Sequence, residues 1–451
     1  MANASLSCGG NALALLTISG RPVLYGTLCN FRVTPTVMCR DTHAHTRFAR
    51  VFNSSCYWAL LDQDGEFYFA AHWFNSDTMH VPRAIFGGSK VSCVAFGIEH
   101  VLLLTTDNNL FAGGFEKSCA LGPGRQVHGG VFVDMLNHMR SQHSLRVLQK
   151  LDHDEITVAG RLLGVVCVQC MSGVWTQHGV WLWGVGAGAF LAQDKHAQYR
   201  RAVGRDGETR DSCLHGWPDV REPTRVAHLN ILGALKHVAV GRGHAGVVDT
   251  TGSVYMWGHN DEGQCVTQNA SGGFWPCQVH RTAFDGDDID TIKVSDKHTT
   301  FLTATGQVWT AGRICGRKGG KLMRVPGAFF GDRPVREIDA SRGYVAAIND
   351  GGAVFTWGMQ LGNTDGVLQV PATATGSPTY EPRFYAMEPQ RGVRVCTAAA
   401  IPMQISSGWF DSELVGHWFR RLAFAMAAHA RLGSKSPAAV LLPEMLRNIL
   451  V

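Results

Sequence analysis

The chain has 451 residues, of which 45% are hydrophobic and 17% are charged, and this composition excludes a disordered protein and allows a sizeable buried core. Its 41 basic residues stand against 36 acidic ones, a balance that gives no nucleic-acid signature. Its 13 cysteines are an odd number in a long chain, which favours free thiols and an intracellular protein, cytoplasmic or nuclear.

The N-terminus shows no targeting pattern. Its first residues, MANASLSCGGNALALLTISG, contain a short apolar run without a basic region before it, so we expect no signal peptide. Apolar runs elsewhere fall short of the ~20 residues that a membrane span needs. We therefore expect no membrane association.

A short pattern recurs along the chain, and residues 238–264 hold its clearest copy. Gly241 is followed three residues later by His244, then by a turn at Gly252 and a strand end at Trp257-Gly258. Apolar and β-branched residues between these positions predict two strands, joined by a tight turn because glycine adopts a positive φ at no steric cost. A hairpin is thus the predicted repeating unit.

Six further copies of this pattern precede or follow the clearest one. The first has Ala12 at the position of the histidine, and the second is degenerate, with Tyr57 at that position. In the fourth, counting back from the strand end places Cys170 at the histidine position and Cys167 at the first glycine position. The pattern positions of the better copies are predicted to be structural, namely Gly97, His100, Gly241, His244, Gly252, Trp257, Gly258, His298, Gly306, Gly312, Gly352, Trp357 and Gly358.

The spacing of the copies indicates the fold class. Most intervals are in the forties to fifties of residues, and two are near seventy. A period of this size built from strands is typical of a β-propeller, so we predict an all-β, seven-bladed β-propeller. The two long intervals predict insertions at about 115–156, with a short helix, and at about 185–228, as a polar surface excursion.

The character of the sequence changes after the seventh copy. Segment 393–405 is predicted to pair with the N-terminal copy and close the ring, because a propeller otherwise leaves open edges. We expect residues 1–405 to form the propeller and residues 411–451 to form a short helical C-terminal tail, which packs on the propeller or on a partner. The candidate partner contacts in this tail are Trp418, Arg420 and Arg421.

The fifth copy resembles the repeat of the regulator of chromosome condensation family. That repeat runs glycine, histidine, turn glycine, aromatic-glycine and then asparagine-x-x-glycine-glutamine. The resemblance covers roughly residues 1–405 and implies a seven-bladed propeller with a protein partner. The family's founding member is a guanine-nucleotide exchange factor for a Ran-type GTPase, and many relatives are interaction modules. The matching residues are Gly241, His244, Gly252, Trp257, Gly258, Asn260, Gly263 and Gln264.

Two sets of residues have the types of metal ligands. His100, His244 and His298 occupy one equivalent position in three copies, and a propeller separates such positions around a ring. We therefore interpret them as recurring structural histidines. Cys167 and Cys170 have metal or redox spacing, but no second CxxC accompanies them in the sequence, so a structural role is favoured.

Other polar clusters are interpreted as solvated loops. His43 and His45 form a His-x-His pair, for which a metal is the alternative ligand, and an acidic spot of Asp152, Asp154 and Glu155 has a basic partner as its alternative. The most basic local stretch, residues 313–324, is also interpreted as a solvated loop. The alternative is that it contacts phosphate or an acidic surface. The sequence indicates no catalytic constellation, metal or cofactor, so we expect a protein that is not an enzyme.

The favoured function is a protein–protein interaction module or regulatory scaffold that works as a monomer on a protein partner. One alternative is a guanine-nucleotide exchange factor for a Ran-type or other small GTPase, which would wedge an insertion against the nucleotide site. Another is a substrate adaptor, because the segment LLPEMLRNIL (441–450) resembles the opening helix of an F-box or a SOCS-type box.

Overall fold

The computed structural model describes residues 6–115, 120–126, 146–192, 219–314, 320–358 and 384–386, apart from short gaps within these ranges. The described residues form seven antiparallel sheets arranged as the blades of a propeller. The prediction of an all-β, seven-bladed β-propeller is therefore confirmed.

The first three blades lie within residues 6–151. The first consists of β1 (Leu6–Cys8), β2 (Ala12–Leu16), β3 (Pro22–Leu28) and β4 (Phe31–Val37). The second consists of β5 (Phe48–Asn53), β6 (Tyr57–Asp62), β7 (Phe67–Ala71) and β8 (Met79–Val81). The third has a fifth strand and consists of β9 (Val91–Phe96), β10 (His100–Thr105), β11 (Leu110–Phe115), β12 (Gly124–Gln126) and β13 (Arg146–Leu151).

The remaining four blades follow in chain order. The fourth consists of β14 (Gly164–Val168), β15 (Met171–Thr176), β16 (Gly179–Gly184) and β17 (Val220–Arg225). The fifth consists of β18 (Leu235–Val240), β19 (His244–Asp249), β20 (Val254–Gly258) and β21 (Gly273–Val279). The sixth consists of β22 (Ile289–Val294), β23 (His298–Thr303), β24 (Val308–Gly312) and β25 (Gly320–Arg324). The seventh consists of β26 (Val335–Ser341), β27 (Tyr344–Asn349), β28 (Val354–Gly358) and β29 (Phe384–Ala386).

Short turns of 3-10 helix accompany the strands. Three of them lie in the connections that lead from one blade to the next, and each carries a buried phenylalanine. The described 3-10 turns are Arg83–Phe86, Ala187–Phe190, Arg281–Phe284 and Gly327–Phe330.

The second strand of each blade is buried on both of its faces. In β10 and β19 every residue is buried, because each blade is sandwiched between two neighbours. Sequences such as HVLLLT and HAGVVD therefore lack the alternation of a half-exposed strand. The described core accordingly consists of seven apolar clusters, each of which joins the facing sides of two neighbouring blades.

The fourth blade departs from the predicted register. The first residue of the second strand pairs with the glycine that ends the third strand, as His244 does with Gly258. In the fourth blade that residue is Met171, which pairs with Gly184. Placing Cys170 at the histidine position, and with it Cys167 at the first glycine position, was therefore wrong by one residue. The reason is a two-residue hairpin at 177–178, which makes this copy one residue shorter than the others.

The ring closes between the seventh and first blades without a shared strand among the described residues. All four strands of the first blade come from residues 6–37. Two carboxylates of β26 accept backbone N–H groups of β1, at 3.3 Å from Leu6 to Glu337 and at 2.6 Å from Cys8 to Asp339. Segment 393–405 and the tail 411–451 lie outside the described residues.

The two predicted insertions contain blade strands as well as extra chain. The range 115–156 includes β12 and β13, and the range 185–228 includes β17. The additional residues are therefore 116–145, apart from the short strand β12, and 185–219. The short helix predicted for the first insertion lies outside the described residues.

Candidate functional site

The recurring histidines lie at the junctions between blades. His100, His244 and His298 begin β10, β19 and β23, and all three are buried. The Nε2 atom of His100 lies 2.8 Å from Ser172 Oγ in the next blade. His244 Nε2 lies 2.7 Å from Thr299 Oγ1, again in the next blade. The histidine position therefore links one blade to the next.

The hydroxyl partners fix which ring nitrogen carries the proton. Ser172 Oγ donates to the Ala120 carbonyl at 2.7 Å, and Thr299 Oγ1 donates to the Gln264 carbonyl at 2.9 Å. Because each hydroxyl proton is already used, the histidine Nε2–H is the donor in both pairs. Burial lowers the pKa of His100 to about 4 and that of His244 to about 3, since a buried imidazolium loses its hydration. These rings are neutral structural groups.

His298 differs from the other two histidines. Its Nδ1 lies 2.6 Å from Ser295 Oγ, within its own blade. The residue of the next blade that corresponds to Thr299 is Val345, which has no hydroxyl. His298 Nε2 accordingly has no hydrogen-bond partner among the described residues. Burial lowers the pKa of His298 to about 3.

The pattern glycines make two kinds of contact. At Gly241 a Cβ atom would clash with the Ser295 carbonyl of the next blade, so this position needs the absence of a side chain. Gly252 has a φ of +79°, and its carbonyl accepts the Ile289 N–H of the next blade at 3.1 Å. Both glycines therefore bring neighbouring blades together. Gly97 corresponds to Gly241, Gly306 and Gly352 to Gly252, and Gly312 and Gly358 to Gly258.

The pattern tryptophans fill the space between blades. Trp257 is buried, and its Nε1–H donates to the Phe190 carbonyl of the fourth blade at 3.1 Å. Trp357 is also buried and packs against Phe329 and Phe330, with ring centroids 6.1 and 6.0 Å apart. The described repeat residues therefore lie at contacts within and between neighbouring blades, and they do not gather around one site.

The antiparallel order of the strands sorts the connections onto two faces. Every first-to-second connection lies on one face, which we call the insertion face, and every third-to-fourth connection starts and ends at that face. Every second-to-third hairpin and every connection between blades lies on the opposite face, the hairpin face. The longest third-to-fourth connections span 116–145, 185–219 and 359–383, so all of them leave the propeller on the insertion face.

The hairpin face is built from short, repeated turns. Its hairpins carry Gly65, Gly252 and Gly306, each with a positive φ, and their carbonyls accept an N–H from the first strand of the next blade. These backbone hydrogen bonds restrict changes in the length and conformation of the hairpins. The contrast between the two faces identifies the insertion face as the candidate interaction surface.

A central cavity of about 1250 Å³ lies between the first strands of the blades. Lys236 and Asp290 pair across two of these strands at 2.6 Å, and Lys293 and Asp339 pair across the next two at 3.0 Å. Burial opposes the charge on Lys293, but the Asp339 carboxylate, together with Glu337 and Cys8, raises the pKa of Lys293 above its ordinary value. Arg50 Nη1 donates to the Ser92 carbonyl of the next blade at 2.6 Å. The cavity charges named here therefore connect neighbouring blades.

The remaining sequence candidates do not converge on one site. Cys167 lies on β14 and Cys170 in the turn after it, and burial raises the pKa of Cys167 far above its ordinary range. In the basic stretch, Arg313 pairs with Glu262 at 3.3 Å and Arg324 with Asp285 at 3.5 Å. Asp152 and Asp154 are exposed on the hairpin face. Outside the described residues lie His43, His45, Glu155, Trp418, Arg420 and Arg421.

The described residues offer neither a metal cluster nor a membrane-spanning helix. They contain no group of three or more His, Cys, Asp or Glu that could hold a metal ion. Over the same part of the chain, no helix is long and apolar enough to cross a membrane.

Sequence reasoning missed the partners of the repeat residues. Ser172 and Thr299 stand directly after the histidine position of their own blades. A hydroxyl residue at that position could therefore have predicted the hydrogen bond to the histidine of the preceding blade. The closing carboxylates Glu337 and Asp339 gave no such signal, because their N–H partners are more than three hundred residues away in sequence.

Comparison with known proteins agrees with this geometry. Residues 235–264 match the family model of the regulator of chromosome condensation (RCC1) repeat. The chain is 30% identical to rat Alsin over 83 residues, which are 17% of this chain and 5% of Alsin. It is 27% identical over 137 residues to the human probable E3 ubiquitin-protein ligase HERC3, covering 30% of this chain and 12% of HERC3. The matches thus span small parts of both relatives.

Solved propellers have the same fold at low sequence identity. Human WBSCR16 superposes with a TM-score of 0.56 at 15% identity, covering 77% of this chain and 87% of that one. Yeast RCC1 (Prp20), solved bound to Kap60, gives 0.53 at 14% identity, covering 76% and 80%. Prp20p from Saccharomyces cerevisiae, reported with its binding to Gsp1p and histones, gives 0.52 at 13%, covering 85% and 82%.

Proposed function

Because this chain is an RCC1-like seven-bladed propeller, we propose that it is a protein-interaction module whose protein partner binds the insertion face. The observation that carries this proposal is that the connections 116–145, 185–219 and 359–383 all leave the same face. Long connections on a rigid scaffold are the usual place for binding residues. The hairpin face, by contrast, is committed to holding the blades together.

The described part of the insertion face has a polar border suited to such a surface. Arg242 and Asp296 face each other across the fifth and sixth blades at 3.8 Å, and Glu262 pairs with Arg313 at 3.3 Å. Ile98 is 41% exposed in the turn between β9 and β10. Charged pairs around apolar contacts resemble the rim of a protein interface.

The test uses variants of each face as bait in cross-linking experiments. The amount of partner protein that each variant captures is measured. Replacing residues 127–142 or 195–215 by short Gly-Ser linkers should reduce partner capture, because these segments lie within the insertion-face connections. The matched controls are Asp64→Lys and Lys90→Glu, two exposed hairpin-face positions, and should capture as the full chain does. Loss of capture in the controls alone would place the partner on the other face.

A second candidate function is guanine-nucleotide exchange on a small GTPase. It is supported by the exchange activity of the repeat family's founding member and by the likeness in fold to Prp20. Release of fluorescent GDP from a Ran-type GTPase should then accelerate with this protein and slow when residues 127–142 are replaced. Unchanged release across a panel of small GTPases would leave the interaction module as the function. Segment 441–450 lies outside the described residues, and we do not propose the adaptor function.

A further inference from the structure

The central cavity has two walls of different character. On the side of the fifth to seventh blades, the first strands carry two ion pairs, Lys236 with Asp290 and Lys293 with Asp339. On the side of the second to fourth blades, the first strands β5, β9 and β14 hold a single charged residue, Arg50. We call the lining on this side the apolar wall, and it includes Phe52, Cys93, Phe96, Val166 and Trp175. The cavity is therefore charged on one side and largely apolar on the other.

Two contacts hold the Arg50 side chain in one orientation against the apolar wall. Its Nη1 donates to the Ser92 carbonyl of the next blade at 2.6 Å. Its Cζ lies 4.8 Å from the centre of the Phe52 ring, which is a cation–π distance. A guanidinium that is already fixed loses little conformational entropy when a ligand binds to it. Arg50 is therefore preorganised for an interaction with a further group.

Arg50 differs from the cavity lysines because it has no acidic partner among the described residues. Lys236 and Lys293 each pair with an aspartate, whereas no described ion pair includes Arg50. Its Nη2 likewise makes no hydrogen bond to a described residue. The remaining carboxylate of the lining, Asp107, accepts the Ser89 hydroxyl at 2.5 Å. Within the described part of the chain, N–H groups of Arg50 are therefore available for an anion.

The size and the lining of the cavity favour one class of ligand. Its volume of about 1250 Å³ exceeds the ~300–1,000 Å³ of typical small-molecule sites, so a molecule of ordinary ligand size fits inside. Guanidinium groups bind carboxylates well, because two parallel N–H groups match the two oxygens. An inorganic anion would leave the apolar wall in contact with water, whereas an organic anion with an apolar body would cover it.

We propose that the central cavity binds a small organic carboxylate with an apolar body, with its oxygens on Arg50 and its body against the apolar wall. Binding combines charge-assisted hydrogen bonds with the burial of apolar surface. The lysine–aspartate pairs and the long connections of the insertion face take no part in it. The site is therefore separate from the surface that we assign to the protein partner.

The first test is calorimetric titration of the full chain with decanoate. Decanoate should bind at one site, whereas inorganic phosphate, which has no apolar body, and decyltrimethylammonium, which has the opposite charge, should bind far more weakly. Arg50→Gln should weaken decanoate binding by about tenfold or more, because a hydrogen bond to a charged group is lost. The control Arg333→Gln changes an exposed arginine of the hairpin face and should leave the affinity unchanged. Equal affinity of Arg50→Gln and the full chain, or no decanoate binding by the full chain, would overturn the proposal.

The second test needs no substitution, so it does not depend on whether a variant folds. Cys93 lies on the apolar wall, whereas Cys277 is exposed on β21 and outside the cavity lining. Saturating decanoate should slow the alkylation of Cys93 by N-ethylmaleimide several-fold and leave that of Cys277 unchanged, as measured by mass spectrometry of the modified peptides. An unchanged rate at Cys93, or equal protection by decyltrimethylammonium, would contradict a carboxylate held by Arg50 against this wall.

Discussion

The imidazole of His244 donates to Thr299 of the next blade at 2.7 Å, and Thr299 passes a hydrogen bond on to Gln264. All three residues are buried, so water does not replace a lost partner. A buried donor without an acceptor costs more than the hydrogen bond itself contributes. At the scale of single residues, one correctly placed hydroxyl therefore satisfies two buried groups at this junction.

Two neighbouring threonines offer a matched comparison of this effect. Thr299→Val should lower the free energy of unfolding by about 1–3 kcal/mol, because it leaves His244 Nε2 and the Gln264 carbonyl unpaired. Thr300→Val is the control, since the Thr300 hydroxyl is buried without a hydrogen-bond partner among the described residues. That change should be neutral or stabilising in denaturant titrations. Equal destabilisation of the two variants would contradict the role of the hydroxyl.

The buried histidines also make stability depend on pH. The pKa is lowered to about 4 for His100 and to about 3 for His244 and His298, whereas unfolded histidine titrates near 6.5. As pH falls below about 6.5, the unfolded state binds protons first, so the free energy of unfolding decreases down to about pH 4. Each ring contributes up to about 1.4 kcal/mol per pH unit.

Unfolding titrations between pH 7.5 and 4.5 check this prediction. His298→Gln should flatten the decline, whereas His178→Gln, an exposed change in the fourth hairpin, should leave it unchanged. Stability that stays constant over this range would show that the rings titrate normally in the folded state.

At the scale of elements, the hairpins of one blade hold the first strand of the next. The Gly252 carbonyl accepts the Ile289 N–H, and the Gly306 carbonyl accepts the Val335 N–H at 2.8 Å. A positive φ at these glycines aims the carbonyl across the junction. Hairpin conformation and blade spacing are therefore set by the same residue.

Two glycine substitutions separate the cost of backbone conformation from the cost of contact. Gly286 has a φ of +90°, and no atom lies within 4 Å of a Cβ added there. Gly286→Ala should therefore lower the free energy of unfolding by about 1–2 kcal/mol, from backbone strain alone. Gly252→Ala has the same kind of φ, and its Cβ would meet Asp288 Cβ at 2.6 Å. It should therefore lower Tm further in thermal unfolding. A smaller effect at Gly252 than at Gly286 would mean that the hairpin yields without moving the next blade.

At the scale of the whole molecule, three blades meet at one carboxylate. Asp339 of the seventh blade pairs with Lys293 of the sixth and accepts the Cys8 N–H of the first. Asp339→Asn keeps the shape of the side chain but leaves the partly buried Lys293 without its counter-charge. The free energy of unfolding should therefore decrease by about 1–3 kcal/mol. The exposed Asp332→Asn is the control and should leave the denaturant midpoint unchanged. Equal midpoints for both variants would contradict a closing role for Asp339.

The sequence predicted the propeller because the fifth copy preserves the residues that join blades. Gly241, His244 and Trp257 are needed wherever two blades meet, so their spacing reveals the number of blades. Counting failed in the fourth copy, since a two-residue hairpin shifts the register by one and puts Met171 where Cys170 was expected. The faces, the cavity pairs and the closing carboxylates could not be predicted, because they depend on contacts between segments distant in sequence.

The order of the blades along the chain has a mechanical consequence. Six of the seven junctions join consecutive segments, whereas the seventh joins residues near the start to residues near 340 through side-chain and packing contacts. Under a pulling force on the two ends, load falls on that junction before it reaches any other. We expect the propeller to open at this junction first. The first or the seventh blade should then detach before the others, and the middle blades should unfold last.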